Sequence, residues 1–252
     1  MNGDTEAGAR AIDALREIVD RSRRIVFFGG AGVSTASGIP DFRSPDGLFA
    51  RRFEGLTPEM ILSRSFFYME TERFYAFYRA YMLHPDAVPN AAHRRLYEWE
   101  RRDVLRGVVT QNIDGLHKKA GNRRVYEIHG TVHENRCLEC GAFFPMDRIL
   151  RTKGIPLCDR CGGLIKPEVV LYGEAPDKYV CMGALREISQ ADTLIIAGTS
   201  LSVEPAASFI GSFGGKNLVV INRTPTPADE KAALVIRGDV AAVLGDSRMD
   251  GP

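Results

Sequence analysis

The sequence runs to 252 residues with 44% hydrophobic and 26% charged side chains, the balance of a globular chain long enough for one large core and a small satellite. Lys+Arg 33 against Asp+Glu 32 leave a formal charge of +1, so bulk charge argues for neither a nucleic-acid nor an anionic-membrane partner. No run approaches the ~18 apolar residues of a membrane span. The first residues, with Asp4 and Glu6, lack a basic-then-apolar leader, so a cytoplasmic location is expected.

Residues 8–20 place Ile12, Leu15, Ile18 and Val19 on one helical face, followed by Arg21, Arg23 and Arg24, where cations suit a helix C-terminus. Residues 24–30 form a short apolar run stopped by glycine, which reads as a buried parallel strand. Similar runs recur at 105–110, 193–198, 218–222 and 233–236, with helical patterns at 91–102 and 178–190 between some of them. Strands alternating with helices predict an α/β, Rossmann-like, doubly wound parallel sheet over residues 8–44, 86–131 and 166–245. Two stretches break the rhythm: 45–85, aromatic-rich and helical over 66–83, and 132–165, which holds paired cysteines. Together they predict a small domain, a helical insertion plus a ribbon. The polar tail after Leu244 is expected to fray.

The first chemical motif is the turn Gly29, Gly30, Ala31, Gly32, Val33, Ser34 after the first strand. Bare backbone N–H groups and a helix N-terminus there would suit a pyrophosphate. The dehydrogenase fingerprint fails on two counts: Thr35 stands at its third glycine, and residues 48–52 offer neither a second strand nor its terminal acid. A turn of purely steric origin also fits. Next, Ile39, Pro40, Asp41, Phe42 and Arg43 lie on a proline-stiffened loop. An arginine there can hold a diphosphate, and a phenylalanine can shield a reactive sugar centre; a solvated surface loop is the alternative.

Residues 110–117 follow a strand end, where open α/β sheets gather ligands. Gln111, Asn112 and Asp114 can bond a ribose and a carboxamide, or simply cap a helix. His129 precedes Gly130 and suits general-base work near neutral pH, with His84, His93, His117 and His133 as competitors. Cys137, Cys140, Cys158 and Cys161 form two C-x-x-C knuckles, a four-thiolate shell for one structural zinc in a reducing compartment. A closed shell leaves no position for catalytic water, so the metal is given no chemical role. Cys181 stands outside the pairs. Three further segments, 166–174, 198–205 and Asn222, sit at the expected ligand edge or read as ordinary connections.

Taken in order, these motifs resemble the sirtuin family: residues 30–34 with 38–43, 110–114, His129 with Gly130, the four cysteines, 169–174, 198–200, Asn222 and 238–240. The likeness spans residues 10–244. It implies a Rossmann-like domain with a zinc-ribbon and helical insertion domain, and NAD-dependent removal of acetyl or other acyl groups from protein lysines. NAD would contact Gly30, Ala31, Gly32, Ser34, Thr35, Ile39, Asp41, Phe42, Arg43, Gln111, Asn112, Ile113 and Asp114. Its adenosine end would lie near Gly198, Thr199, Ser200, Asn222, Arg223, Asp239 and Val240. Acyl-lysine would pair between Val170, Leu171, Tyr172, Gly173 and Glu174 and the loop carrying Ser202 and Val203. In the implied chemistry the acyl oxygen attacks the nicotinamide ribose, and His129 is the base on a ribose hydroxyl. Asn112 and Asp114 serve the ribose, Phe42 shields it, and O-acetyl-ADP-ribose leaves.

Two departures stand out. Tyr172 replaces the family's usual Phe. Tyr75 is followed by Arg79 at i+4, with Tyr78 at i+3, where succinyl-selective relatives carry Tyr-x-x-Arg. Tyr75 and Arg79 are thus candidate acyl-selectivity residues, with uncharged acyl groups expected to be preferred. Within the family, desuccinylation, longer-chain deacylation and mono-ADP-ribosylation remain alternatives. Outside it stand a dehydrogenase and a zinc-ribbon binding module.

Overall fold

A computed structural model describes residues 2–204 and 206–250; Pro205, in the loop after the strand expected at 193–198, lies outside them. The chain runs α1 (Asn2–Arg21), β1 (Ile25–Gly29), α2 (Pro58–Ile61), α3 (Arg64–Met69), α4 (Thr71–Tyr81), α5 (Ala91–Arg101) and β2 (Leu105–Thr110). It continues through α6 (Leu116–Ala120), β3 (Val125–Glu127), β4 (Gly130–Cys137), β5 (Phe143–Pro145), α7 (Met146–Arg151) and β6 (Ile165–Val169). The last elements are α8 (Lys178–Gln190), β7 (Thr193–Ala197), β8 (Asn217–Ile221), β9 (Leu234–Ile236) and α9 (Val240–Leu244). No helix among the described residues is long and apolar enough to cross a membrane.

Six parallel strands form the large sheet in the order β3-β2-β1-β7-β8-β9. This is the doubly wound dinucleotide order, and its reversal point falls between β1 and β7. Both faces are covered, as the unbroken apolar runs require. Ile25 and Phe27 of β1 join Leu15, Val19 and Trp99 on one face. Val26 and Phe28 point the other way, into a core with Ala184, Ile188 and Phe209.

A second sheet, β5-β4-β6, is antiparallel and packs with α2–α4 and α7 around Phe67, Phe74, Tyr75, Tyr78 and Ile149. Four details differ from the sequence reading. β6 straddles the expected boundary, with 166–169 in the stretch assigned to the large domain, yet it pairs with β4 in the small sheet. The single helix expected over 66–83 is two, broken at Glu70 (φ −132, ψ 47). The edge strand β3 was not expected. The tail does not fray before Asp250: Met249 is 3% exposed against the core, and Asp250 pairs with Arg95.

Beneath the sheet's ligand edge, His93 and His117 lie fully buried with ring centroids 4.6 Å apart. Asn90 caps α5 and donates its backbone N–H to His93 Nδ1, leaving His93 Nε2 and both His117 nitrogens without a partner among the described residues. Burial depresses both imidazoles, His93 to about 4 despite Asp114 and His117 well below its usual range. Both are therefore neutral in the fold at pH 7. Below pH ~6.5 the unfolded chain binds protons that the folded chain refuses, so each residue removes ~1.4 kcal/mol of stability per pH unit until its folded pKa is reached. Urea midpoints are expected to hold above pH 6.5 and drop between 6.5 and 5, less steeply in His117→Phe. Identical slopes in the two proteins would exclude this burial as the cause.

Candidate active site

The reversal point between β1 and β7 opens into a cleft of about 680 Å³, bounded by the turn after β1, the loop at 41–49, the segment after β6 and the ends of β7 and β8. A volume of this order suits a large small-molecule ligand.

The glycine turn reaches the cleft with Ala31, Gly32 and Thr35, but not in the expected way. The chain enters 3-10 turns at Ala31–Val33 and Thr35–Ser37 rather than an α-helix. The N–H groups of Gly30 and Gly32 are not bare: they donate to the carbonyls of Ala197 and Gly198. A Cβ on Gly30 would lie 2.7 Å from Thr199 Cβ, and one on Gly32 2.8 Å from Gly198 Cα. These glycines are thus required by the approach of two loops across the reversal point.

Ser34 is 1% exposed and serves as a hub. It accepts from Asn112 Nδ2 (3.0 Å) and donates to Asp114 Oδ2 (2.7 Å). Asp114 Oδ1 accepts the Leu116 N–H, and its carbonyl accepts from His133 Nε2. Asn112 also donates its N–H to Thr110 Oγ1. Ser34, Asn112 and Asp114, together with Ile39, Ile113 and His84, line a smaller recess beside the main cleft. Asp41 folds its loop through Ser44 N–H, while Arg43 lies over the Phe49 ring.

His129 follows β3 and borders the main cleft. Its Nδ1 lies 3.0 Å from the Gln111 carbonyl, which can only accept, so Nδ1 carries the proton and Nε2 keeps a free lone pair. Burial pushes its pKa below the usual value, opposed in part by the Gln111 bond, so the ring is a neutral base at pH 7. Gly130 sets the corner: at φ +78 a Cβ would sit 1.9 Å from the Glu168 carbonyl, and only glycine lets β4 start against β6 there. His129 O accepts from Val170 N–H.

Val170, Leu171, Tyr172, Gly173 and Glu174 all border the cleft. Tyr172 bridges to Ser63, with its N–H on Leu62 O and its carbonyl on Arg64 N–H. The segment is stiffened by Lys166, whose Nζ reaches Glu174 Oε2 at 3.0 Å. Across the cleft, Gly198, Thr199, Ser200 and Val203 line it; Thr199 accepts from Gln111 Nε2, and Ser202 bonds Ser200 instead of bordering the space. Leu201, at φ +55, turns this loop. Asn222, Arg223, Asp239 and Val240 close the far end. Asp239 is already employed there, capping α9 through Ala242 N–H and pairing with Arg223 at 2.7 Å.

Tyr75 and Arg79, the candidate acyl-selectivity residues, are not among those that border the cleft. The Tyr75 hydroxyl donates to Ile165 O inside the small core. Arg79 donates to Ile149 O (3.0 Å) and Gly154 O and stacks over Tyr75. The α4 helix instead turns Tyr78 towards the cleft wall, beside Met82, Leu62, Phe49 and Leu171. Phe49, Leu62 and Met82 carried no chemical signal in the sequence, because they read as ordinary core positions.

The four cysteine sulfurs lie within 4.8 Å of one another, with Cys137–Cys161 at 3.4 Å and Cys140–Cys158 at 3.6 Å. Tetrahedral zinc with Zn–S near ~2.3 Å requires sulfur separations of about this size. The set fits a structural zinc and lies at the end of β4 opposite Gly130.

The profile of the Sir2 family matches residues 30–205. An NAD-dependent protein deacetylase of Clostridium perfringens is 52% identical over 93% of this chain and 97% of its own length. A solved Sir2 complex with a p53 peptide and NAD+ has a TM-score of 0.80 at 35% identity, covering 90% of this chain and 93% of its own. Another, with deacetylated p53 peptide and 3′-O-acetyl ADP ribose, has a TM-score of 0.83 at 35% identity, covering 92% and 94%.

Proposed function

This chain belongs to the Sir2 family, and on that premise we propose that it removes acetyl groups from protein lysines in an NAD-dependent reaction with His129 as the base. The observation that carries the residue assignment is the Gln111 carbonyl on His129 Nδ1, which leaves Nε2 as a neutral proton acceptor on a ring that borders a cleft of about 680 Å³. Bound NAD supplies a leaving nicotinamide and the ribose that receives the acetyl group.

The chain's own residues hold and order these reactants. Ala31, Gly32 and Thr35, which line the cleft, would hold the pyrophosphate, with Arg43 as its cation. Asn222, Ser200, Arg223 and Asp239 would receive the adenosine end. Ile39 and Asp114 border the recess for nicotinamide, and the Ser34 hub keeps Asn112 oriented towards the ribose and the attacking water. Phe42 excludes bulk water from the reacting carbon. His129 Nε2 then takes the proton of the ribose hydroxyl that captures the acetyl carbon. The peptide backbone adds as a strand between 170–174 and the 198–203 loop, which border opposite sides of the cleft.

Acetyl is the preferred group, and charged acyl chains are disfavoured. Arg79 is engaged in the small core, and Phe49, Leu62, Tyr78, Met82 and Leu171 make the wall beside α4 largely apolar, which disfavours a carboxylate there. The closed four-thiolate site supports a structural zinc and a reducing, cytoplasmic setting. With NAD and an acetyl-lysine peptide, nicotinamide and deacetylated peptide should appear in equal amounts; peptide-independent NAD loss, or NADH absorbance, would count against the reading.

A further inference from the structure

Beside the cleft, one lysine has its whole hydrogen-bonding capacity engaged within a single loop. Lys166 Nζ donates to Glu174 Oε2 at 3.0 Å and to the carbonyls of Pro167 and Val169 at 3.1 Å each. An ammonium has three donors, so this one is saturated. It also lies 6.0 Å from the centre of the Phe67 ring, which ties the loop to α3. The two charged side chains are only 14% and 18% exposed, and a pair so shielded is screened less by salt than a surface pair. The same Glu174 oxygen accepts the Leu171 N–H at 3.0 Å, and the Glu174 N–H returns to the Leu171 carbonyl at 2.9 Å. Gly173, at φ +86, lets the chain turn this tightly. Residues 171–174 thus close on themselves and on Lys166. Residues 170–174 border the cleft and Lys166 does not, so Lys166 acts there through the shape of the segment.

We propose that Lys166 is a positioning residue for the substrate peptide: its pairing with Glu174 sets the 170–174 segment before the peptide arrives, so peptide capture depends on the pair and NAD capture does not. The inference rests on the deacetylase reading above and on strand addition at this segment. An edge already in its bound shape takes up a strand at lower entropic cost than one the ligand must order. Without the ammonium, the shielded Glu174 carboxylate loses its counter-charge and turns towards water, which releases the Leu171 N–H. The surfaces for NAD come from the turn after β1, the 41–49 loop and the ends of β7 and β8, to which Lys166 makes no bond among the described residues.

The test compares zinc-loaded wild type, Lys166→Met, Glu174→Gln and the double variant. It reads KM for an acetyl-lysine peptide, KM for NAD, and the Kd of ADP-ribose by calorimetry; melting curves check the fold. Methionine keeps the stem, and glutamine keeps an acceptor for the Leu171 N–H. Lys166→Met should raise the peptide KM ~10-fold while the NAD KM and the ADP-ribose Kd stay within ~2-fold. The double variant should be no worse than Lys166→Met, since the two side chains act as one unit. An unmoved peptide KM overturns the assignment, as do additive single effects or an equal rise in the ADP-ribose Kd, which marks general loosening. If Lys166→Met melts below the assay temperature, Glu174→Gln carries the test by the same split between peptide and NAD. Wild-type turnover with an unmoved peptide KM removes only the role of Lys166, whereas no wild-type turnover removes the deacetylase reading and this inference with it.

Discussion

His129→Ala is expected to lower the rate of lysine deacetylation by ~10²–10⁴, the usual contribution of a positioned general base, without changing the melting curve or zinc content. Among the described residues the ring bonds only through Nδ1 to Gln111 O, and losing that bond costs the fold little beside the loss of the lone pair on Nε2. The pH profile adds a second readout. Burial lowers the His129 pKa below its usual ~6.5, so the base is free across the neutral range. Wild-type activity should be flat above pH 6.5 and fall with unit slope only on further acidification. Wild-type rates in His129→Ala, or a wild-type profile still climbing through pH 8, would remove this residue from the role.

Cys140→Ser, or chelation of the metal, is expected to melt the small module and abolish turnover although no zinc position is open to water. Structural zinc contributes its binding free energy to folding, ~10–16 kcal/mol in small zinc peptides at neutral pH. Losing even ~3–4 kcal/mol of that would lower the melting temperature by about 10 °C in a chain of this size. The link to activity is β4, which carries Cys137 at one end and Gly130 at the other, paired with Val169 of β6. When the cysteine end loosens, the His129 corner and the 170–174 segment lose the strand that positions them. A melting transition indifferent to chelation would contradict a structural metal; an unchanged rate would contradict the link through β4.

Much of the large sheet was legible because its strands are buried on both faces, so β1, β2, β7 and β8 appear as apolar runs ended by Gly30, Gln111, Gly198 and Asn222. β3 was not legible: three half-buried residues, Val125–Glu127, carry no such run. β6 misled for a different reason, since periodicity shows that a segment is extended but not which sheet it joins. The helical period of 66–83 concealed the break at Glu70, because Phe66, Phe67, Phe74, Phe77 and Tyr78 bury on both sides of it.

The candidate site divides along the same line. Asn112, Asp114, His129 and the cysteines were visible as polar residues in informative positions. The partner that makes Ser34 a hub is 80 residues away in sequence, and the carbonyl that sets the His129 tautomer is 18 away. Neither contact has a local signal. Spacing alone does not say which face of α4 meets the cleft: it points to Tyr75 and Arg79, whereas the fold brings Tyr78 to the lining. The glycines after β1 were found for an incomplete reason, since the contact with Gly198 and Thr199 also demands them.

Transfer of the acetyl group to ADP-ribose is measured most directly by following an isotopically labelled acetyl group from a lysine peptide by mass spectrometry in the presence of NAD. The label is expected on ADP-ribose, one equivalent for each nicotinamide released. Label appearing directly as free acetate, with NAD left intact, would contradict it.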